Sequence, residues 1–236
     1  MSILRDIGVY GTCKNCIRPT AWGGGTAGGY SLAVPIYALG DKVPTIHPDA
    51  YVHPDAVIIG DVRIGELGSV WPGAVLRGDE GYIQIGARTS IQDNCVLHTT
   101  PVFPTIVGDD CVVGHLVHLE GCTIEAGCLI GNASVLMHRV MVHSGSIVAA
   151  NATLLDGTVV PAGALAVGSP ATIKEGKAKP EFIERGVRAY VDGVLIGFDG
   201  TAPYSVDVIA SLADGAHSIT ARLESARRTP SSETAG

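Results

Sequence analysis

From Ile46 onward the chain places an aliphatic residue at six-residue intervals: Ile46, Val52, Ile58, Ile64, Val70 and Leu76, then Ile85, Ile91 and Leu97, then Val107, Val113 and Leu119. The series resumes at Ile124 and runs through Ile130, Leu136, Val142, Val148, Leu154 and Val160 to Ala166. Four places after nearly every one of these stands a small or β-branched residue or a cysteine, as at Ala50, Ala56, Ala74, Cys95, Cys111, Thr123, Cys128, Ser134 and Ala164. The exceptions, Glu80, Pro101 and Pro170, fall where the register breaks or ends. A period of six fits neither a helix nor an isolated strand, and predicts one short strand and one corner per repeat. Three repeats close a triangular coil of about 18 residues, with aliphatic side chains stacked inside and Gly, Asn or Asp at the corners.

The register breaks three times. Leu76 to Ile85 carries three extra residues, Leu97 to Val107 carries four, and Leu119 to Ile124 is one short. In so regular a coil, extruded loops are where function is expected. Naming the three prism faces A, B and C puts Val70, Ile91, Val113 and Ile130 on face A, and Leu76, Leu97, Leu119 and Leu136 on face B. Residues at one offset on one face stack at the spacing of neighbouring strands, about 4.8 Å. One place past the aliphatic, face B therefore carries the column Arg77, His98, Glu120 and Met137. Two places past it, face A carries Pro72, Asp93, His115 and Asn132. His98 and Glu120 are expected neighbours, and Asp93 is expected beside His115 on a different face. The three metal-competent side chains His98, Glu120 and His115 meet only if prisms associate side by side.

Composition agrees with a packed repeat protein. The 236 residues are 46% hydrophobic and only 17% charged, and just 5% are aromatic against 31 glycines, so the core is filled by aliphatic and small side chains. A net charge of −7 argues against a nucleic-acid partner. No apolar run reaches the roughly 18 residues of a membrane span, and residues 1–33 lack the apolar stretch of a signal peptide, so a cytoplasmic location is expected.

The stretches "VLRGD" (Val75 to Asp79), "SIQDNCVLH" (Ser90 to His98) and "VGHLVHLEGCTI" (Val113 to Ile124) resemble the γ-class carbonic anhydrase family, over about residues 35 to 175. The resemblance implies a left-handed parallel β-helix of hexapeptide repeats, a homotrimer, and zinc or iron (Zn2+ or Fe2+) held by three histidines at each subunit interface. Carried onto this chain, the first two ligands fall on His98 and on His115 of the adjacent subunit. The third falls on Glu120, where the family has histidine. His118 is the alternative third ligand, placed at the corner before Leu119. Arg77 and Asp79 match an interface ion pair, and Gln92 and Asp93 match a pair that positions water and substrate. Glu80 is a candidate proton shuttle.

The implied activity is carbonic anhydrase, a lyase hydrating CO2 reversibly to bicarbonate by a metal-bound hydroxide. Two histidines and a carboxylate suit zinc or Fe(II). The carboxylate cancels one charge that neutral imidazole would leave, so less hydroxide is expected at neutral pH. The alternative is therefore a trimeric binding or scaffold homologue with weak or no catalysis. A hexapeptide acyltransferase shares the coil but accounts for neither the Arg-Gly-Asp nor the Gln-Asp match.

The remaining histidines, His47, His53, His138, His143 and His217, read as surface residues, with only His138 near the site column. Cys95, Cys111 and Cys128 read as small core fillers. The pair "CKNC", Cys13 to Cys16, has no second pair to complete a zinc site. The expected organisation is an N-terminal extension over 1–33, partly disordered around "WGGGTAGG", then the β-helix over 34–175 and a C-terminal helix over 176–192. An accessory β-strand element follows over 193–226, faintly like part of an immunoglobulin-like module and a possible site for a protein partner, and then a disordered tail over 227–236.

Overall fold

The computed structural model describes residues 7–9 and 34–190. The "CKNC" pair, the "WGGGTAGG" run, His217, the accessory element and the tail lie outside these. The chain divides into one unit over Met1–Gly193 and a second over Val194–Gly236.

The six-residue register folds as read, into a left-handed parallel β-helix. Face A is an eight-stranded sheet whose pairs stack Val52 on Val70, Val70 on Ile91, Ile91 on Val113, and Val113 on Ile130. Faces B and C form one continuous sheet, because the strands Val57–Ile64 and Val75–Ile85 turn the corner between them without a break. On face B, Leu76, Leu97, Leu119 and Leu136 are successive register partners. All four are fully buried, as are the small inward residues Ala56, Ala74, Cys95, Cys111, Cys128 and Ser134. Burying each leucine contributes on the order of 1.5–3 kcal/mol. Every coil also hands its backbone N–H groups to the next, as Val96 to Val117 at 2.9 Å and His118 to Ser134 at 3.0 Å.

The corners need left-handed backbone, and residues other than glycine often supply it: Asn94, Leu116, Ala133, Arg139 and Asn151 have φ between 56° and 61°. Cys95 and Cys122 are free thiols inside the prism, and burial pushes both up to about 12, which keeps them protonated and inert.

The breaks behave differently from one another. Leu76 to Ile85 does not extrude a loop but stays within the 11-residue strand Val75–Ile85. Gly60 pairs with Gly78 and Val62 with Ile83, so Asp61 alone stands opposite Asp79–Tyr82, and the extra residues form a bulge. The Leu97 to Val107 step is a true loop, closed by Thr100 N–H donating to the Phe103 carbonyl and exposing Val102. The short step is turned by Gly121 at φ 60°.

The strand Ile36–Leu39 begins the coil and pairs antiparallel with Ile7–Val9. At the other end, helix α1 spans Pro180–Tyr190, within the expected 176–192, and seats Ile183 and Gly186 on face A, where Gly186 lies against Val112. No helix among the described residues is long and apolar enough to cross a membrane.

Candidate metal centre

Two strands of face B present the site. In Val96–His98 and His118–Glu120 the middle residue points inward and the flanking ones outward, because side chains alternate along a strand. Glu120 is the register partner of His98, which is in turn the partner of Arg77. The expected column is therefore present. His98 Nδ1 lies 3.2 Å from Glu120 Oε1, and His98 Nε2 lies 3.1 Å from Asp79 Oδ1. The second oxygen of Asp79 pairs with the Arg77 guanidinium, so the Arg-Gly-Asp element closes an ion pair within one chain.

Glu120 gathers more than His98. His118 Nε2 is 3.3 Å from its Oε2, and His138 Nε2 is 3.5 Å from its Oε1. His118 thus sits on the strand itself rather than at the corner where the sequence placed it. His138, read as a surface residue, belongs to the cluster. Its Nε2 is buried and makes no hydrogen bond beyond this longer contact with Glu120, and its ring lies near Phe103 at a centroid distance of 6.0 Å. Gly121 makes room for that ring, since a Cβ there would stand 2.9 Å from His138 Cδ2. Partial burial pushes the Glu120 carboxyl up. The hydrogen bonds from His98 and His118, with His138 close by, together outweigh it and hold the group below the usual carboxylate range.

His115 belongs to another part of the prism. It follows the face A strand Val112–Val113, and its backbone N–H donates to Asn132 Oδ1 at 3.1 Å. Gly114 permits that approach, because a Cβ there would collide with Asn132 Oδ1 at 2.3 Å. Its Nδ1 is 2.9 Å from Asp93 Oδ2. With Nδ1–H donated to that carboxylate, Nε2 carries the free lone pair that a metal requires. Gln92 is nearly buried beside it. Glu80 is exposed, and its carbonyl accepts from Lys42 Nζ at 2.5 Å, as the Asp79 carbonyl does at 2.6 Å.

Among the described residues, no group of three His, Cys, Asp or Glu side chains within the single chain is arranged to hold a metal ion. The donors His98, Glu120, His118 and His138 stand on one side and His115 on another. Imidazole nitrogens and a carboxylate are the donor set that zinc and ferrous iron take, and His98, His118 and His138 gather around Glu120 on face B. The residue types therefore suit such an ion, but the described residues of one chain do not by themselves assemble a site for it.

These features define a hexapeptide-repeat β-helix protein. The family profile described as Bacterial transferase hexapeptide (six repeats) matches residues 44–78, and that of a Bacterial Ig domain matches residues 185–221. Carnitine operon protein CaiE of Salmonella agona is 41% identical over 137 residues, which are 58% of this chain and 69% of CaiE. Gamma carbonic anhydrase 1, mitochondrial, of Arabidopsis thaliana is 41% identical over 137 residues, and Gamma carbonic anhydrase 2 is 36% identical over 160. The matches take in 56% and 64% of this chain but only 50% and 58% of those plant proteins. A solved hexapeptide transferase family protein from Anaplasma phagocytophilum superposes with a TM-score of 0.60 at 35% identity, covering 63% of this chain and 89% of that one. The chain belongs to the γ-carbonic-anhydrase-like family of hexapeptide-repeat proteins.

Proposed function

We propose that this chain is the subunit of a trimeric γ-carbonic-anhydrase-like metalloprotein that hydrates CO2 reversibly to bicarbonate. The ion, zinc or ferrous iron, lies at each interface. His98 and Glu120 of one subunit hold it, together with the partner subunit's His115. One observation carries this reading: the coil register sets His98 beside Glu120 on face B, while Asp93 turns His115 on face A so that its Nε2 is free. The relatives named gamma carbonic anhydrase support the reaction class.

An ion held there supplies Lewis acidity, which makes water a nucleophile near neutral pH. The chain's own residues do the rest. Asp93 fixes the His115 tautomer, and Gln92 and Asp93 position water and CO2. Asp79, braced by Arg77, orients His98 through Nε2. Hydration of CO2 yields bicarbonate and one proton, which the exposed Glu80 passes to solvent.

Glu120 sets the level of activity, because its negative charge offsets part of the ion's. The test is metal content together with CO2-hydration rate for the purified wild type beside Glu120→His. Stoichiometric metal is expected in both, with the faster rate at neutral pH in Glu120→His. A metal-free wild-type trimer overturns the ligand set. A metal-loaded wild type whose rate stays at background, whether or not Glu120→His restores it, overturns the carbonic anhydrase reading in favour of the scaffold one.

A further inference from the structure

We infer that Lys42, at the start of the coil, is a positioning residue for the metal centre: its ammonium pins the bulge that carries Asp79, and so fixes how Asp79 meets His98. This rests on the interface metal proposed above. The bulge is where the strand Val75–Ile85 loses its neighbours. Arg77 pairs with His98 on one flank and Gly78 with Gly60 on the other, and pairing resumes only where Ile83 meets Val62 and Thr105. Among the described residues, Asp79 to Tyr82 have no register partner on either flank, so their backbone polar groups need other partners. Glycines bracket Asp79 and Glu80, and Gly81 is held to that size because a Cβ there would stand 2.4 Å from the Thr100 carbonyl oxygen. A glycine on each side leaves the peptide between them free to swing.

Lys42 removes that freedom. Its Nζ donates to the Asp79 carbonyl at 2.6 Å and to the Glu80 carbonyl at 2.5 Å. The lysine is itself fixed, because Leu39 and Lys42 exchange both backbone hydrogen bonds, at 2.9 and 3.1 Å, across a turn with Gly40 at φ 62°. The strand before that turn is anchored by buried Ile36 and Ala38. Arg77 grips only the head of the Asp79 side chain, whereas Lys42 sets the backbone from which that side chain springs. The consequence reaches His98, whose Nε2 lies 3.1 Å from Asp79 Oδ1 and whose Nδ1 faces Glu120. With the Nε2 proton given to Asp79, Nδ1 keeps its lone pair for an ion. Lys42 acts through Asp79 and touches neither the ligands nor the water.

The experiment compares full-length wild type, Lys42→Met and Lys42→Arg. Met keeps much of the side chain's length and removes its donors, whereas Arg keeps the charge and has donors enough for both carbonyls. The first readout needs no metal: long-range proton–nitrogen correlations of the histidine rings. Lys42→Met is expected to move the His98 ring signals toward those of Asp79→Ala while leaving those of His143, held apart by Glu125, in place. Lys42→Arg is expected to keep the wild-type signals. The second readout is zinc affinity, expected to be about tenfold weaker in Lys42→Met, with no further loss when Lys42→Met is added to Asp79→Ala. A merely structural lysine shifts His143 as well, or weakens the Asp79→Ala protein further, and either result overturns the inference. Unmoved His98 signals or an unchanged zinc affinity in Lys42→Met overturn it too. A wild type that takes up no zinc, with ring signals behaving as expected, overturns the interface metal and leaves the hold of Lys42 on Asp79 standing.

Discussion

At the scale of single residues, the proposed site would depend on carboxylates that decide which imidazole nitrogen is free. Asp93 does this for His115 at 2.9 Å, and replacing it by Asn removes a charged acceptor while keeping shape. Asp93→Asn is therefore expected to lower zinc affinity by about 10- to 100-fold with little change in stability, read by competition against a chromophoric chelator. An unchanged affinity would mean that His115 needs no orienting partner. The pairs His98–Glu120 and Asp93–His115 were legible in the sequence because stacking follows from the six-residue count alone. The places of His118 and His138 were not. The residue before the aliphatic is strand in the two-residue strands as well, as Thr123 is before Ile124, so His118 lies on the strand and points outward, and the third residue of His118–Glu120 is Glu120 itself. His138 reaches the site because Gly121 turns the shortened corner and leaves its ring space, a tertiary fact that no local pattern announces.

At the scale of elements, corners must satisfy the backbone of the coil beyond them, and Glu125 does so most fully. Its Oε2 accepts from the Ser144 N–H and the Ser144 hydroxyl, both at 2.9 Å, and its Oε1 lies 3.0 Å from His143 Nδ1. The Ser144 backbone bond foremost, then the bonds from His143 and the Ser144 hydroxyl, hold this carboxyl below its usual range. A depressed folded pKa contributes stability that is present above the unfolded value of about 4.3 and is lost as pH falls through the folded one. The wild type should thus melt above Glu125→Gln near neutral pH, with the gap closing on acidification below about pH 4. Thermal melts across that range check it, and a gap constant with pH would deny the carboxylate its role. The period predicted every coil, yet the longest strand was expected to be a loop. Three extra residues after Leu76 signal an insertion, but the strand resumes pairing at Ile83 beyond a bulge, where Gly78 permits a close approach to Asp61 that a Cβ, 2.4 Å from the Asp61 carbonyl oxygen, would block.

At the scale of the whole molecule, the donors divide between two faces of one prism, and this division predicts how subunits must be combined. In the proposed cyclic trimer each site would take His98 and Glu120 from one subunit and His115 from the next, a heterologous contact that closes after three steps. His98→Ala spoils the face B half of every site and leaves the His115 half intact, while His115→Ala does the reverse. Either variant alone should therefore form trimers with no complete site. Mixed trimers behave differently: whatever their composition, one junction of the three joins an intact face B to an intact His115. With equal amounts mixing at random, about three-quarters of trimers are mixed, so metal uptake should recover to roughly a quarter of the wild-type value. The measurement is zinc per trimer after the two inactive variants are unfolded together and refolded, or coexpressed. A site contained within one subunit gives no recovery at all. Recovery to a quarter in metal, accompanied by a matching quarter of the CO2-hydration rate, would tie the chemistry to the junction between subunits rather than to either face alone.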